Sequence, residues 1–441
     1  MSIDDFCPNS LFPEPAPLDP NKDTIIKIIG VGGGGGNAVG YMYKKGVKDV
    51  QYVVCNTDNQ ALRNSPVPNK VLIGHTGLGA GDKPEVARAA AEESIDAINA
   101  IFDDDTKMVF ITAGMGGGTG TGAAPVVARV ARERGILTVG IVTIPFLFEG
   151  VKKITKALKG AEEMKKYVDS LLLINNERLI EIYHDLDFDS AFNKADDTLA
   201  TAASSISELI TTDDVRINVD FNDVDTTLRN GGSSIISCGY GEGENRMQEA
   251  IENALHSPLL KNGNIMGSKR LLFNLYYSRN AEHKFGMGEM VAFTDFVTSI
   301  EDVDVKYGVA YDDSLGNKVK VTILASGFDN DAFAVDVTKR PAAKTLTAEV
   351  TETENAQKVI EEQYGREKTK KLIDAKARTL YAVLRPEQFD DDNVIENLEK
   401  SPAYARTADQ KAAITSATSV APADNAQQSS QRGDSAGVIS F

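Results

Sequence analysis

The chain has 441 residues, which at roughly 100–200 residues per domain predicts two to four domains. Its 47 basic and 64 acidic residues give a net charge of −17, which argues against a nucleic-acid-binding surface because phosphate binding needs an excess of Lys and Arg. The three cysteines are far apart, and we find no secretory signal. The apolar runs are far shorter than the roughly 20 residues of a bilayer span. These features predict a soluble cytoplasmic protein without direct membrane insertion.

The first part of the chain alternates strands and helices. Residues 1–23 contain five prolines and predict a flexible N-terminal arm. From residue 24 onward, short β-branched runs alternate with helical patterns, which is typical of βαβ units and a mostly parallel, doubly wound sheet. The predicted strands are 25–31, 50–55, 107–112, 136–144 and 170–174, and the predicted helices are 84–102, 123–134 and 152–167. We assign residues 24–188 to one α/β domain.

A long helix divides this domain from the rest. Apolar residues at helical spacing predict one helix over 189–211, and we take 189–212 as a central linking helix. Its apolar stripe indicates core packing or a spine between two domains. Residues 213–329 then predict a smaller α+β domain, with a loop over 215–224, strands at 234–238, 271–276 and 318–326, and a helix at 246–255.

The C-terminal part loses this regular pattern. Residues 330–385 predict a linker that is partly helical over 361–384, and residues 407–441 predict a disordered tail. Between them, residues 386–406 predict a short helix with Val394, Ile395 and Leu398 on one face, preceded by three aspartates suited to a helix N-terminus.

Two glycine-rich segments carry the strongest functional signal. The first follows a strand and places Gly30, Gly32 and Gly35 in a G-x-G-x-x-G pattern, which fits a dinucleotide fold, a phosphate loop or a tight strand-to-helix turn. The second, residues 113–122, reads AGMGGGTGTG between a strand and a helix, which favours a polyphosphate held by backbone N–H groups and the helix dipole. Neither segment has the lysine of a Walker-type loop.

A third signal is a pair of acids in the second half of the chain. Asp220 and Asp223 are three residues apart, which places both carboxylates on one face of a starting helix. Such a pair can orient water or hold Mg²⁺. The alternative is structural, with Asp220 capping a helix that runs through Leu228.

The combination resembles the FtsZ family, the tubulin-like cell-division GTPases of bacteria. The resemblance covers residues 24–329 and rests on seven segments in the family's order, namely IKIIGVGGGGGNAV (26–39), NTDNQAL (56–62), GLGAGDKPEVAR (77–88), AGMGGGTGTGAAPVVA (113–128), IVTIPFLFEG (141–150), NVDFNDV (218–224) and SPLL (257–260). It implies a Rossmann-type parallel-sheet GTPase domain, a long central helix, a smaller α+β C-terminal domain and a disordered tail.

The resemblance also implies a binding site for GTP and GDP. The groups around the phosphates would be Gly33, Gly34, Gly35, Gly36, Asn37, Gly116, Gly117, Gly118, Thr119, Gly120, Thr121 and Gly122. Glu149 would contact the ribose, with Lys153 where the family often has arginine. Asn176 and Asp197 would read the guanine edge, Phe192 would stack on the base or pack in the helix core, and Asp196 stands where the family often has asparagine.

In the same way the resemblance implies a shared active site. Asp220 and Asp223, with Asn218 ordering the loop, would act on the GTP of the next subunit in a head-to-tail homopolymer. The water would be positioned directly or through a cation, Mg²⁺ or a monovalent ion. The polymer would form the division ring at midcell beneath the inner membrane, and the 386–406 peptide would bind membrane-tethering and regulatory division proteins.

Two other functions remain open on the sequence. A Rossmann oxidoreductase would use the first glycine segment and an acidic ribose ligand, for which Asp58 is a poorly placed candidate. A non-hydrolysing relative would bind GTP and act as a scaffold, although the presence of both Asp220 and Asp223 argues against it.

Overall fold

The computed structural model describes residues 24–47, 49–182, 188–212, 214–256, 265, 267–300, 303–328, 360–361, 363–369 and 392–399. The chain divides into two units, one ending at Val359 and the other beginning at Ile360. Within the described residues, no helix has both the length and the apolar character needed to cross a membrane.

The described part of the first unit contains eleven strands. They are β1 (Ile26–Val31), β2 (Gln51–Asn56), β3 (Asn69–Leu72), β4 (Met108–Gly114), β5 (Leu137–Ile144), β6 (Ser170–Asn175), β7 (Val215–Ile217), β8 (Gly232–Gly241), β9 (Arg270–Tyr277), β10 (Asp304–Tyr311) and β11 (Val319–Ser326).

Helices follow most of these strands. They are α1 (Gly32–Lys45), α2 (Asn59–Asn64), α3 (Pro84–Glu93), α4 (Ile95–Ala100), α5 (Thr119–Glu133), α6 (Val151–Lys165), α7 (Asn176–Ile182), α8 (Phe188–Thr211), α9 (Phe221–Leu228), α10 (Arg246–Leu255) and α11 (Met290–Thr298), with α12 (Asp392–Glu399) in the second unit.

The strands form one sheet with a parallel half and a mixed half. Its order is β3-β2-β1-β4-β5-β6-β8-β11-β9-β10-β7. Pairing is parallel from β3 to β8, and β11 is antiparallel to both β8 and β9. The two halves meet through two residue pairs of β6 and β8, Ser170 with Gly232 and Leu171 with Ser233. The expectation of a mostly parallel α/β sheet followed by a smaller α+β part is confirmed.

The long helix α8 connects the two halves through its apolar face. Leu199, Ala202 and Ile206 are buried in one core that also contains Leu272 of β9 and Leu324 of β11. At 1.5 Å per residue, a helix of this length spans about 36 Å. The stripe predicted from the sequence therefore packs in the core and also forms a spine between the halves.

Most of the predicted elements are confirmed with shifted ends. The helix expected at 84–102 is divided into α3 and α4 at Ser94, whose hydroxyl accepts a hydrogen bond from the Gly74 N–H at 2.7 Å. The helix expected from residue 123 begins at Thr119, inside the second glycine segment. The loop expected over 215–224 was wrong, because β7 and the start of α9 lie there.

Other elements were not expected from the sequence. Strand β10 contains Lys306 and Gly308, which interrupt the apolar pattern of a buried strand, and α11 was also missed. The helix expected within 386–406 forms as α12, where Val394 is buried and Ile395 is exposed. The N-terminal arm, most of the linker and the tail lie outside the described residues, and the domain boundaries stay predictions.

Candidate functional site

Two helix N-termini meet at one edge of the sheet. Strands β1 and β4 are parallel neighbours with Val31 opposite Ala113, so α1 and α5 both begin beyond the carboxyl ends of these strands. Gly32, at φ +76°, turns the chain from β1 into α1. A Cβ added there would lie 2.7 Å from the backbone nitrogen of Gly120 in α5, so the two N-termini are in contact.

Both helix N-termini are suited to binding an anion. Neither α1 nor α5 has a side chain that caps its first turn, and neither carries an acidic residue in that turn. The first N–H groups of a helix have no partner within the helix, and the helix dipole adds positive potential there. Two such ends side by side are suited to phosphate groups, and we refer to this pair of helix N-termini as the cradle.

The glycines of the two segments have different roles. Gly35 and Gly120 allow close packing, because an added Cβ would lie 2.2 Å from the Thr112 carbonyl oxygen and 2.5 Å from that of Gly114, respectively. Gly33, Gly36 and Gly117 instead leave open space, with no atom within 4 Å of an added Cβ. The open positions are where a ligand can approach the backbone closely.

Hydrogen bonds fix the second segment behind this surface. Gly116, at φ +106°, donates its N–H to the hydroxyl of the buried Thr121 at 2.9 Å. The Thr119 hydroxyl lies 2.7 Å from that of Thr57, which follows β2. Gly118 and Gly122 pack tightly, and an added Cβ on Gly122 would lie 2.0 Å from the Pro84 carbonyl oxygen. We therefore assign Thr121 and Gly122 to the support of the loop.

A cavity of about 450 Å³ extends from the cradle to α8. Gly34 of the first glycine segment contacts Gly114 and does not line this cavity. The lining residues include Gly32, Gly33, Gly36, Asn37, Tyr41, Lys44, Cys55, Asn56, Asn193 and Asp196. The volume lies within the 300–1,000 Å³ range of small-ligand sites.

Asp196 lines the cavity, whereas the family resemblance implies that Asp197 reads the base. Successive side chains on a helix point about 100° apart, so the two carboxylates face different neighbours. Asp196 lines the cavity beside Asn193, and burial raises the pKa of its carboxyl to about 7.

The carboxylate of Asp197 faces α1 and binds side chains of that helix. Its carboxylate accepts hydrogen bonds from Tyr41 at 2.9 Å, Lys45 at 2.8 Å and Lys194 at 2.9 Å. Burial alone would raise the pKa of Asp197, but the charges of Lys194 and Lys45 outweigh it and hold this pKa below its usual value. Asp197 thus fixes α8 against α1.

Glu149 and Lys153 lie next to the second glycine segment. Glu149 accepts a hydrogen bond from the Phe146 N–H at 2.8 Å and pairs with Lys153. The Lys153 side chain passes close to Gly116, because a Cβ added to Gly116 would lie 3.0 Å from the Cγ of Lys153. The pair stands beside the cradle and outside the lining of the cavity.

The resemblance implies Asn176 at the guanine base and Phe192 either on the base or in the helix core. The Phe192 ring is 38% exposed and makes an edge contact with Phe146 at 5.1 Å, so it is not a fully buried core residue. Asn176 begins α7 and is buried, and its Oδ1 has no hydrogen-bond partner among the described residues. An unpaired acceptor oxygen at this position is suited to a nucleotide base that donates hydrogen bonds.

Asp220 and Asp223 form a reciprocal cap on α9. The Asp223 N–H donates to Asp220 at 2.9 Å, and the Asp220 N–H donates to Asp223 at 3.2 Å. The structural alternative raised by the sequence is therefore confirmed, and it leaves open a second role. Asn218 and Asp220 are exposed, and 31% of the Asp223 side chain is exposed.

The acids lie at the opposite edge of the sheet from the cradle. Asp223 pairs with Lys306 near the amino end of β10, and the pairings through β8, β11 and β9 make β10 run in the same direction as β6. Arg229, at the end of α9, donates to the Gly135 carbonyl just before β5. The seven residues of β4 separate the two edges by roughly 23 Å.

Exposed apolar side chains flank both edges. Leu78 is 89% exposed in a loop that packs against Gly118, and Phe148 is exposed beside Glu149. At the other edge, Tyr307 follows Lys306 and Ile217 precedes Asn218, and both side chains are exposed. Apolar surface at two distant patches is suited to contact between different faces of two copies.

Among the described residues, no group of three His, Cys, Asp or Glu side chains is placed to hold a metal ion. Asp58, the ribose candidate of an oxidoreductase, instead caps α2 by accepting hydrogen bonds from the N–H groups of Gln60 and Ala61. The oxidoreductase alternative therefore has no support at this position.

Family models cover most of the first unit. Residues 25–184 match the GTPase domain of the Tubulin/FtsZ family, and residues 232–329 match the C-terminal domain of the FtsZ family.

Individual relatives agree with these models. The chain is 49% identical over 403 residues to the cell division protein FtsZ of Porphyromonas gingivalis, which covers 88% of this chain and 87% of the relative. It is 44% identical over 314 residues to that of Aquifex aeolicus, covering 70% and 84%. An FtsZ dimer from M. jannaschii aligns with a TM-score of 0.62 at 38% identity, over 69% of this chain and 88% of that one.

Proposed function

This chain belongs to the FtsZ family of tubulin-like cell-division GTPases, and on that premise we propose that it hydrolyses GTP at the contacts between subunits of a head-to-tail filament. The observation that carries the proposal is that the phosphate cradle and the acids lie at opposite edges of the sheet, which the seven residues of β4 hold roughly 23 Å apart. The acids therefore cannot act on the nucleotide of their own subunit. The cradle and the acids meet only if the acid-bearing edge of one subunit covers the cradle of another.

GTP is proposed to lie across the two glycine segments and the cavity. The N–H groups of α1 and α5 would bind the phosphates, and Glu149 and Lys153 would reach the ribose side. Guanine would enter the cavity, where Asp196 rather than Asp197 accepts hydrogen bonds from its N1–H and N2–H₂ groups. Asn176 Oδ1 and the exposed face of Phe192 are further candidates for contact with the base.

Hydrolysis is proposed to need positioning more than covalent chemistry. Asp220 and Asp223 would orient a water molecule for attack on the γ-phosphate of the adjacent subunit, with Asn218 ordering their loop. The described residues offer no three-ligand cage for a metal. Mg²⁺ would therefore be held chiefly by the phosphates and would supply charge neutralisation.

The assembly follows from the same geometry. A contact between two different faces does not close on itself and gives an open polymer. The exposed apolar side chains near the cradle, Leu78 and Phe148, would meet Tyr307 and Ile217 near the acids. Such filaments would form the division ring beneath the inner membrane, with the 386–406 peptide bound to a membrane tether.

The test is phosphate release from GTP across a range of protein concentrations, with light scattering followed in parallel and ATP as the nucleotide control. We expect activity per subunit to rise from near zero above a threshold concentration, together with scattering. Activity independent of concentration would mean that each subunit has a complete site.

An Asp223→Ala variant separates binding from hydrolysis. It should bind GTP like the unmodified protein and assemble without turning over GTP, because the substitution lies at the far edge from the cradle. Asp225→Ala, on the same helix but paired with Arg229, is the matched control. Filaments of the unmodified protein without any turnover would instead favour the non-hydrolysing scaffold.

A further inference from the structure

Lys306 stands at the acid-bearing edge in contact with Asp223, one of the proposed hydrolytic residues. Its ammonium lies 2.7 Å from Asp223 Oδ1, and the two residues are 83 positions apart in the chain. The Lys306 side chain is 33% exposed, so the pair lies at the surface. Nothing in the sequence around Lys306 suggested a role in the site.

The surroundings hold Lys306 in a defined place. The other oxygen of Asp223 accepts the Asp220 N–H at 3.2 Å, so the carboxylate is fixed from two sides. Gly308 lies two residues further along β10, on the same face as Lys306. A Cβ at Gly308 would lie 2.4 Å from Val219, so the loop carrying the acids packs directly on this strand.

A cation is needed at this place. A γ-phosphate that approaches two carboxylates meets like charges, and its own negative charge must be stabilised in the transition state. An ammonium group has three donors, so Lys306 can keep its bond to Asp223 and still donate to a phosphate oxygen. Burial alone would raise the pKa of Asp223, but the hydrogen bond and charge of Lys306 and the Asp220 N–H outweigh it and hold this pKa below its usual value, so the carboxyl stays ionised.

We propose that Lys306 is a catalytic residue supplied in trans, donating to the γ-phosphate of the GTP in the adjacent subunit while Asp223 holds it. The inference rests on the proposed function. A bond forms between the water oxygen and the γ-phosphorus as the bond from that phosphorus to the β–γ bridging oxygen breaks. The electron pair of the broken bond stays with GDP, the water gives up a proton through Asp220 to solvent, and Lys306 keeps its protons.

The first test replaces Lys306 by Met, which keeps most of the length of the unbranched side chain and removes its charge. Turnover in filaments should fall about 100-fold, the usual effect of removing one preorganised donor to developing charge. GTP affinity and the midpoint of urea unfolding should stay near those of the unmodified protein. Lys306→Arg should restore most of the lost turnover.

Lys318→Met is the matched control, because Lys318 also pairs with a carboxylate, Glu242 at 3.6 Å, on the same half of the molecule. It should not change turnover. If Lys306→Met turns over GTP within threefold of the unmodified protein, or faster, the proposal is overturned. A faster rate would mean that the ion pair with Lys306 inhibits hydrolysis by Asp223.

Mixed filaments separate this proposal from the function on which it rests. A Gly116→Ala subunit, impaired in its own cradle, still offers an intact acid-bearing edge to Lys306→Met or Asp223→Ala subunits. Recovery of turnover in both mixtures supports Lys306 as a trans-acting residue, even if Lys306→Met assembles poorly alone. If turnover recovers in the mixture with Asp223→Ala but not in the mixture with Lys306→Met, the role of Lys306 is overturned. Recovery with neither overturns the shared active site itself.

Discussion

Replacing Asp196 by Asn should remove a pH dependence from guanine nucleotide binding. Burial raises the pKa of Asp196 from its usual 3.8 to about 7. Only the ionised carboxylate can accept hydrogen bonds from both N1–H and N2–H₂ of guanine, so affinity should rise with pH through about 7 and then level off. At pH 6, with roughly one subunit in ten ionised, GTP should bind about tenfold more weakly than at pH 8.

The assay is calorimetric titration of GTP into the unmodified protein and into Asp196→Asn at pH 6 and pH 8. Titration of the nucleotide phosphates affects both proteins alike, so the ratio of their affinities isolates Asp196. Inosine triphosphate lacks the 2-amino group and provides the matched ligand control, because only the ionised Asp196 should distinguish it strongly from GTP. A ratio that does not change between pH 6 and pH 8 would refute the assignment of Asp196 to the base.

The raised pKa of Asp196 also predicts that the stability of the nucleotide-free protein depends on pH. The folded chain holds a proton on Asp196 that the unfolded chain has already released, so Asp196 makes stability fall as pH rises from about 4 to about 7. The full shift corresponds to at most about 4 kcal/mol. In urea unfolding, Asp196→Asn should therefore be more stable than the unmodified protein at pH 8, and the difference should vanish near pH 4.

Three further predictions concern other parts of the chain. Gly116→Ala should weaken GTP binding at least tenfold in titration, since its φ is +106° and an added Cβ lies 2.8 Å from Pro145; Gly135→Ala, at φ +74° in open space, should leave affinity unchanged. Lys320→Met should lower the free energy of unfolding by about 1–3 kcal/mol, because it leaves the carboxylate of Glu208 in α8, which is 31% exposed, without its 2.6 Å partner, and adding Glu208→Gln should recover part of the loss. Deleting 386–441 should preserve turnover in the phosphate assay and abolish membrane recruitment of a fluorescent fusion in cells; recruitment of the truncated protein would contradict the role of that peptide.

The sequence by itself determined the features that depend on local backbone chemistry. Strands β1, β4 and β5 were readable because each is a short apolar run that ends at a glycine or, for β5, at Pro145. The two glycine segments were recognised because close approach of a ligand to the backbone needs residues without side chains. The acids at 220 and 223 were found from their spacing, which places them on one helix face.

Only the tertiary structure decided which side chains meet. The rotation of α8 is set by its packing on α1, where Tyr41 and Lys45 bind Asp197, and this turns Asp196 into the cavity. The pairing of Lys306 with Asp223 depends on the order of β9, β10 and β11 in the sheet, which no local pattern encodes. Distances between residues far apart in the chain are fixed by how the core packs as a whole, so they appear only when the chain has folded.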